Sequence, residues 1–88
     1  MSRTLQLSPD VSLARDASGC VLLDLRHGAY YTLNEVGSAI VAVVEAGAAQ
    51  EEIHTAISTR YGVLPATVRP DVDRFLQRLE TLGLVTIV

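Results

Sequence analysis

The hydrophobic pattern of this chain changes period once, at Leu33-Asn34, and that change limits the folds open to it. Before it, apolar residues recur every second position, the spacing of a strand with one buried face; after it they recur at the 3.6-residue spacing of helices. Val11 to Arg15 alternates apolar and polar side chains, and Asp16-Ala17-Ser18-Gly19 supplies turn residues. A second aliphatic run, Cys20 to Leu25, is broken by Arg26-His27-Gly28. Ala29-Tyr30-Tyr31-Thr32-Leu33 then brings the aromatic and β-branched residues that suit a pleated surface. The reading is a three-stranded antiparallel meander, since the gaps are hairpin-sized.

Asn34 is a good N-cap, and Glu35 suits the positive end of a helix whose apolar face is Ile40, Val41, Val43 and Val44. Gly47 is expected to stop it. Glu51 and Glu52 open a second helix, with Ile53, Ala56, Ile57 and Tyr61 on one face, and Gly62 ends it. Leu64-Pro65-Ala66-Thr67 reads as a turn into a third helix with Pro70 in its first turn. There Val68, Val72, Phe75, Leu76, Leu79 and Leu82 form a stripe opposite Arg69, Asp73, Arg74, Gln77 and Glu80, and Gly83 closes the helix. Leu84 to Val88 is expected to add a short strand. Strands followed by helices imply an α+β class. Residues 1–88 have material for one domain and no second module.

Composition removes several functions. Apolar residues are 49% of the chain and charged ones 19%, the balance of a packed domain. The net charge of −3 is the wrong sign for a surface that neutralises phosphates, so nucleic acid is a poor partner. One cysteine excludes an internal disulfide and any multi-cysteine metal site. The N-terminus lacks a signal-peptide pattern and no apolar run is long enough for a membrane span, which points to the cytoplasm.

No catalytic constellation is visible. Cys20 opens an aliphatic strand as a small hydrophobe, and His27 and His54 read as solvated residues without ligand-spaced neighbours. Asp24, Glu35, Glu51 and Glu52 fall where a strand or helix start already explains them. Neither a metal nor a cofactor is expected. Two features are left. Tyr30 and Tyr31 must point to opposite faces of their strand; if Leu33 faces the core, Tyr31 shares that face and Tyr30 points outward. The third helix carries a stripe wide enough to line a groove as well as a core.

Leu22-Leu23-Asp24-Leu25-Arg26, Gly28, Tyr30-Tyr31, Leu33-Asn34 and Gly37, followed by Asp71-Val72, Phe75-Leu76, Leu79 and Gly83-Leu84-Val85, resemble the PqqD-like family of peptide-recognition elements. The resemblance spans residues 11 to 86. The Leu-Asp-Leu-Arg and Tyr-Tyr version on a free-standing chain is most similar to the leader-binding proteins of lasso peptide biosynthesis. The resemblance implies a winged-helix-turn-helix-like domain with three N-terminal strands packed on three helices. It implies binding of a precursor's leader peptide as a strand added to the third strand, with side chains entering a groove beside the third helix. Delivery to separate enzymes, a cysteine-protease-like leader peptidase and an ATP-dependent cyclase, would follow. Carried over by position, the peptide-binding residues are Ala29, Tyr30, Tyr31, Thr32 and Leu33 on the strand, with Tyr30 and Thr32 best placed. On the helix they are Val68, Asp71, Val72, Phe75, Leu76 and Leu79. Asp71 has a second reading, as a carboxylate stabilising the first turn of the helix. Two other functions remain open: a winged-helix nucleic-acid binder, and a homodimeric scaffold whose third strand pairs with its own copy.

Overall fold

The computed structural model describes residues 3–16 and 19–88, so the expected turn residues Ala17 and Ser18 lie outside it. Among the described residues the elements run β1 (Leu5–Leu7), β2 (Val11–Asp16), β3 (Gly19–Asp24), β4 (Ala29–Leu33), α1 (Glu35–Glu45), α2 (Gln50–Tyr61), α3 (Pro65–Thr81) and β5 (Val85–Ile87). Strands β2, β3 and β4 form the antiparallel meander, with β3 in the centre. The class is α+β, as the change of period implies. No helix of the described residues is long and apolar enough to cross a membrane.

Strand β1 is new relative to the sequence pattern. It pairs antiparallel with β5, Leu5 opposite Ile87 and Leu7 opposite Val85, as a separate two-stranded sheet. Two flanking main-chain bonds extend the pairing, Val88 N–H to the Thr4 carbonyl at 2.8 Å and Ser8 N–H to the Leu84 carbonyl at 3.0 Å. Three residues carry too little alternation to announce a strand; pairing becomes possible only because α3 brings the C-terminus back beside them. Leu5 and Leu84 are thereby fully buried.

Helix α1 packs on the inner face of the meander, α2 packs on α1, and α3 packs on α2. Leu22 from β3 meets Ile40, Val41 and Val44 of α1, Ile53 and Ile57 of α2, and Val72, Leu76 and Leu79 of α3 in one apolar cluster. Asn34 caps α1, its Oδ1 accepting the Gly37 N–H at 2.7 Å, and Gly62 ends α2 in the left-handed conformation at φ 66°.

Two local expectations are corrected. The third helix begins at Pro65, with Leu64 as its cap, so Leu64 to Thr67 is the entry into the helix and its first turn rather than a preceding turn. Proline is suited to that first position, where its missing N–H has no intrahelical use. Pro70 consequently lies inside the helix and leaves the Ala66 carbonyl without its i+4 donor, tolerated where both residues are exposed. His54 is not solvated. It is buried between α2 and α3, with Nε2 2.6 Å from Asp73 Oδ1, while Gln50 Nε2 donates to the same oxygen at 2.7 Å.

The β3–β4 turn is held by one buried carboxylate. Asp24 Oδ1 accepts the backbone N–H of Arg26 at 3.1 Å and of His27 at 3.3 Å, and Oδ2 lies 2.8 Å from His27 Nδ1. Gly28 follows at φ 65°, a conformation that costs other residues strain. The hydrogen bond from the His27 side chain, helped by these backbone donors, holds the Asp24 carboxyl below its ordinary value of 3.8 despite burial, which acts in the opposite direction. A carboxyl lowered in the folded state stabilises the fold above its unfolded pKa, and that contribution is lost as pH falls through the lowered value. Asp24→Asn is therefore expected to be less stable than the parent at about pH 7, with the gap closing towards about pH 3 in urea titrations.

Candidate binding groove

The main chain of β4 is divided residue by residue. Leu25 N–H donates to the Asp10 carbonyl at 2.9 Å, and these residues stand opposite each other in the β2–β3 register that pairs Val11 with Asp24. Hydrogen-bonded and non-bonded pairs alternate along an antiparallel ladder, so Gly19, Val21 and Leu23 turn their amides to β2, and Cys20, Leu22 and Asp24 turn theirs to β4. The bonded partners across the second ladder are then Leu33, Tyr31 and Ala29. Tyr30 and Thr32 direct their N–H and C=O groups to the other side, where no strand among the described residues pairs with β4. This open edge offers four hydrogen-bonding groups.

Side chains alternate with the same period. Tyr31 and Leu33 face inward and pack on the core, whereas Tyr30 is 71% exposed on the outer face. Beside the inward side chains lies a cavity of about 550 Å³ between β4, the start of α1, and α3. Ile40, Ile57, Val72, Leu79 and Leu84 form its apolar floor. Tyr31, Thr32, Leu33, Asn34, Val36 and Gly37 make one wall, and Val68, Asp71, Phe75, Arg78 and Leu82 the other, with Tyr61 also contributing. A largely apolar concavity of this size with a few polar groups is the usual form of a ligand site.

The residues proposed from sequence separate here. Tyr31, Thr32, Leu33, Val68, Asp71, Val72, Phe75 and Leu79 line the cavity. Leu76, fully buried, points to the core side of α3 and lines none of it. Ala29 bonds to β3 and does not reach the cavity; Tyr30 meets the edge with its main chain but carries its ring on the opposite face. Asp71 stands well inside α3, not in its first turn, so the helix-terminus reading of it falls away. Its carboxylate is exposed and 3.4 Å from Arg74 Nη1. Residues that sequence reasoning passed over include Asn34, Val36, Tyr61 and Arg78. Arg78 had a readable signal, since it follows Asp71 by seven positions and shares its helix face.

Glycine at position 37 sets the closeness of α1 and α3. A Cβ built there would lie 3.2 Å from Cζ of Phe75 and 3.1 Å from the capping Oδ1 of Asn34. The ring edge can approach the α1 backbone only because no side chain intervenes. Elsewhere on the sheet, Cys20 is buried with Arg15 Nη1 3.7 Å from its sulfur. Among the described residues no group of three His, Cys, Asp or Glu side chains is placed to hold a metal ion.

This geometry defines a small α+β domain in which an open strand edge and a helix share one apolar groove. The family described as coenzyme PQQ synthesis protein D (PqqD) matches residues 19–85, and the chain belongs to that family. Two solved structures share the fold over nearly the whole chain. One, described as lasso peptide synthetase B1 complexed with the leader peptide, superposes with a TM-score of 0.83 at 27% identity, covering 93% of this chain and 96% of that one. The other, TbiB1 in complex with the TbiA(beta) leader peptide, has a TM-score of 0.83 at 38% identity, covering 91% and 93%. No curated protein sequence matches the chain.

Alanine is favoured over glycine inside a helix by about 1 kcal/mol. Gly37→Ala is nevertheless expected to lower the melting temperature, because the new methyl must displace the Phe75 ring or the Asn34 cap. Trimming the ring in Gly37→Ala/Phe75→Leu should recover part of the loss, and thermal melts of the two variants test this.

Proposed function

We propose that this chain binds the leader segment of a ribosomally made precursor peptide as a strand added to β4, with alternate leader side chains entering the groove against α3. The carrying observation is that β4, whose main chain is open at Tyr30 and Thr32, lines an apolar cavity through Tyr31, Thr32 and Leu33, in a fold shared with two proteins described in complex with leader peptides. Main-chain hydrogen bonds supply affinity without regard to sequence, and the pockets select side chains. None of the residues lining this cavity belongs to the other edge strand, β2.

On this reading the contact set is the main chain of Tyr30 and Thr32 together with Tyr31, Leu33, Val68, Asp71, Val72, Phe75 and Leu79. The domain performs no chemistry. It presents the precursor to separate enzymes, a leader peptidase and an ATP-dependent cyclase, in lasso peptide biosynthesis. Nucleic acid is disfavoured by the net charge of −3 and by the pairing of two α3 arginines with carboxylates, Arg69 with Glu51 at 3.8 Å and Arg74 with Asp71 at 3.4 Å.

Hydrogen exchange with the synthetic leader peptide of this chain's own precursor tests the mode of binding. The amides of Tyr30 and Thr32 are expected to gain protection, while those of Tyr31 and Leu33, already bonded to β3, change less. Protection confined to α2 would sink the strand-addition reading. A self-paired scaffold would instead appear by light scattering as a dimer that leader peptide leaves intact.

Mass spectrometry tests the absence of chemistry. The purified chain incubated with precursor and ATP is expected to leave the peptide mass unchanged, because it holds no nucleophile–base pair beside the groove. Cleavage abolished by Cys20→Ala would overturn this.

A further inference from the structure

Two charged residues line the cavity, Asp71 and Arg78. Seven positions apart on α3, they are about two turns, or roughly 10.5 Å, apart along the helix axis. Their situations differ. Asp71 has Arg74 at 3.4 Å. Of the three α3 arginines, Arg69 and Arg74 have carboxylate partners, whereas no ion pair among the described residues involves Arg78. Arg78 thus places a guanidinium without an ion-pair partner among the described residues at the wall of a largely apolar groove, one turn from Phe75.

A cation against low-dielectric walls attracts an opposite charge more strongly than the same cation on an open surface, and a guanidinium matches a carboxylate in geometry. It also excludes basic side chains from its neighbourhood, which gives selection by repulsion. Spacing narrows the ligand further. Same-face residues of a strand are about 6.7 Å apart. A peptide side chain seated against Val72 and Phe75 of the groove, and lying along α3, would stand about the same distance from Arg78.

We infer that Arg78 is a specificity-determining residue that reads an Asp or Glu placed two residues from the apolar anchor of the bound peptide. The inference rests on the leader-binding reading and names the class of leader that the groove accepts.

Calorimetric titration of the full chain with the synthetic leader peptide of its own precursor, and with the same peptide carrying an amide in place of that acid, tests it. Arg78→Gln is expected to raise Kd about three- to tenfold for the parent peptide with an unchanged melting temperature, because the side chain is exposed. The amide peptide should lose a similar factor on the parent protein and nothing further on the variant, the non-additivity of two groups in contact. Raising salt should weaken the parent complex and leave the variant's affinity nearly constant. A Kd within about twofold for Arg78→Gln, equal losses for both peptides, or a leader with no acid at that spacing would each overturn the inference while leaving leader binding standing. A parent chain that binds no leader peptide would remove the leader reading and this inference together.

Discussion

The Phe75 ring of α3 approaches the beginning of α1 so closely at Gly37 that a Cβ there would lie 3.2 Å from its edge. Asn34, which caps α1, follows directly on the last residue of β4, so this approach lies where α3, α1 and the strand come together. The groove is the space that remains when those three elements are fixed. A methyl group at position 37 would require the ring or the capping Asn34 to give by a few tenths of an ångström.

Helix α3 serves two surfaces with one apolar stripe. Neighbouring residues on a helix are turned by about 100° from one another, so Leu76 can be fully buried while Phe75 stands at the cavity wall. Val72 and Leu79 lie between these directions, buried yet contributing to the cavity floor. A domain of this size that leaves an apolar cavity open gives up burial it can ill spare. A ligand that covers the cavity restores that burial and stabilises the folded state through binding.

In β4 the two alternations of a strand coincide usefully. The residues whose side chains face inward, Tyr31 and Leu33, are also those whose main chain is committed to β3, and Tyr30 and Thr32 keep their main chain free. A strand added at this edge would find hydrogen-bonding groups at Tyr30 and Thr32 and a side-chain pocket beside Tyr31 and Leu33. The Asp24 carboxylate, with His27 and the turn amides, fixes the hairpin that delivers β4 in this register. The chain belongs to the PqqD family and shares its fold with two proteins described in complex with leader peptides.

The change of period at Leu33-Asn34, the Asn34 cap, the glycine stops and the opposition of Tyr30 to Tyr31 were all legible in the chain, because each depends on residues within a turn or two of one another. The tertiary structure alone decided the rest. Strand β1 exists through pairing with residues some eighty positions away, and His54 is buried because Asp73 of another helix faces it. The split of the α3 stripe into core and groove, and the placement of Arg78 at the groove wall, follow from which neighbours cover each side of the helix. Periodicity states which residues share a face; only contacts between distant segments determine what that face meets.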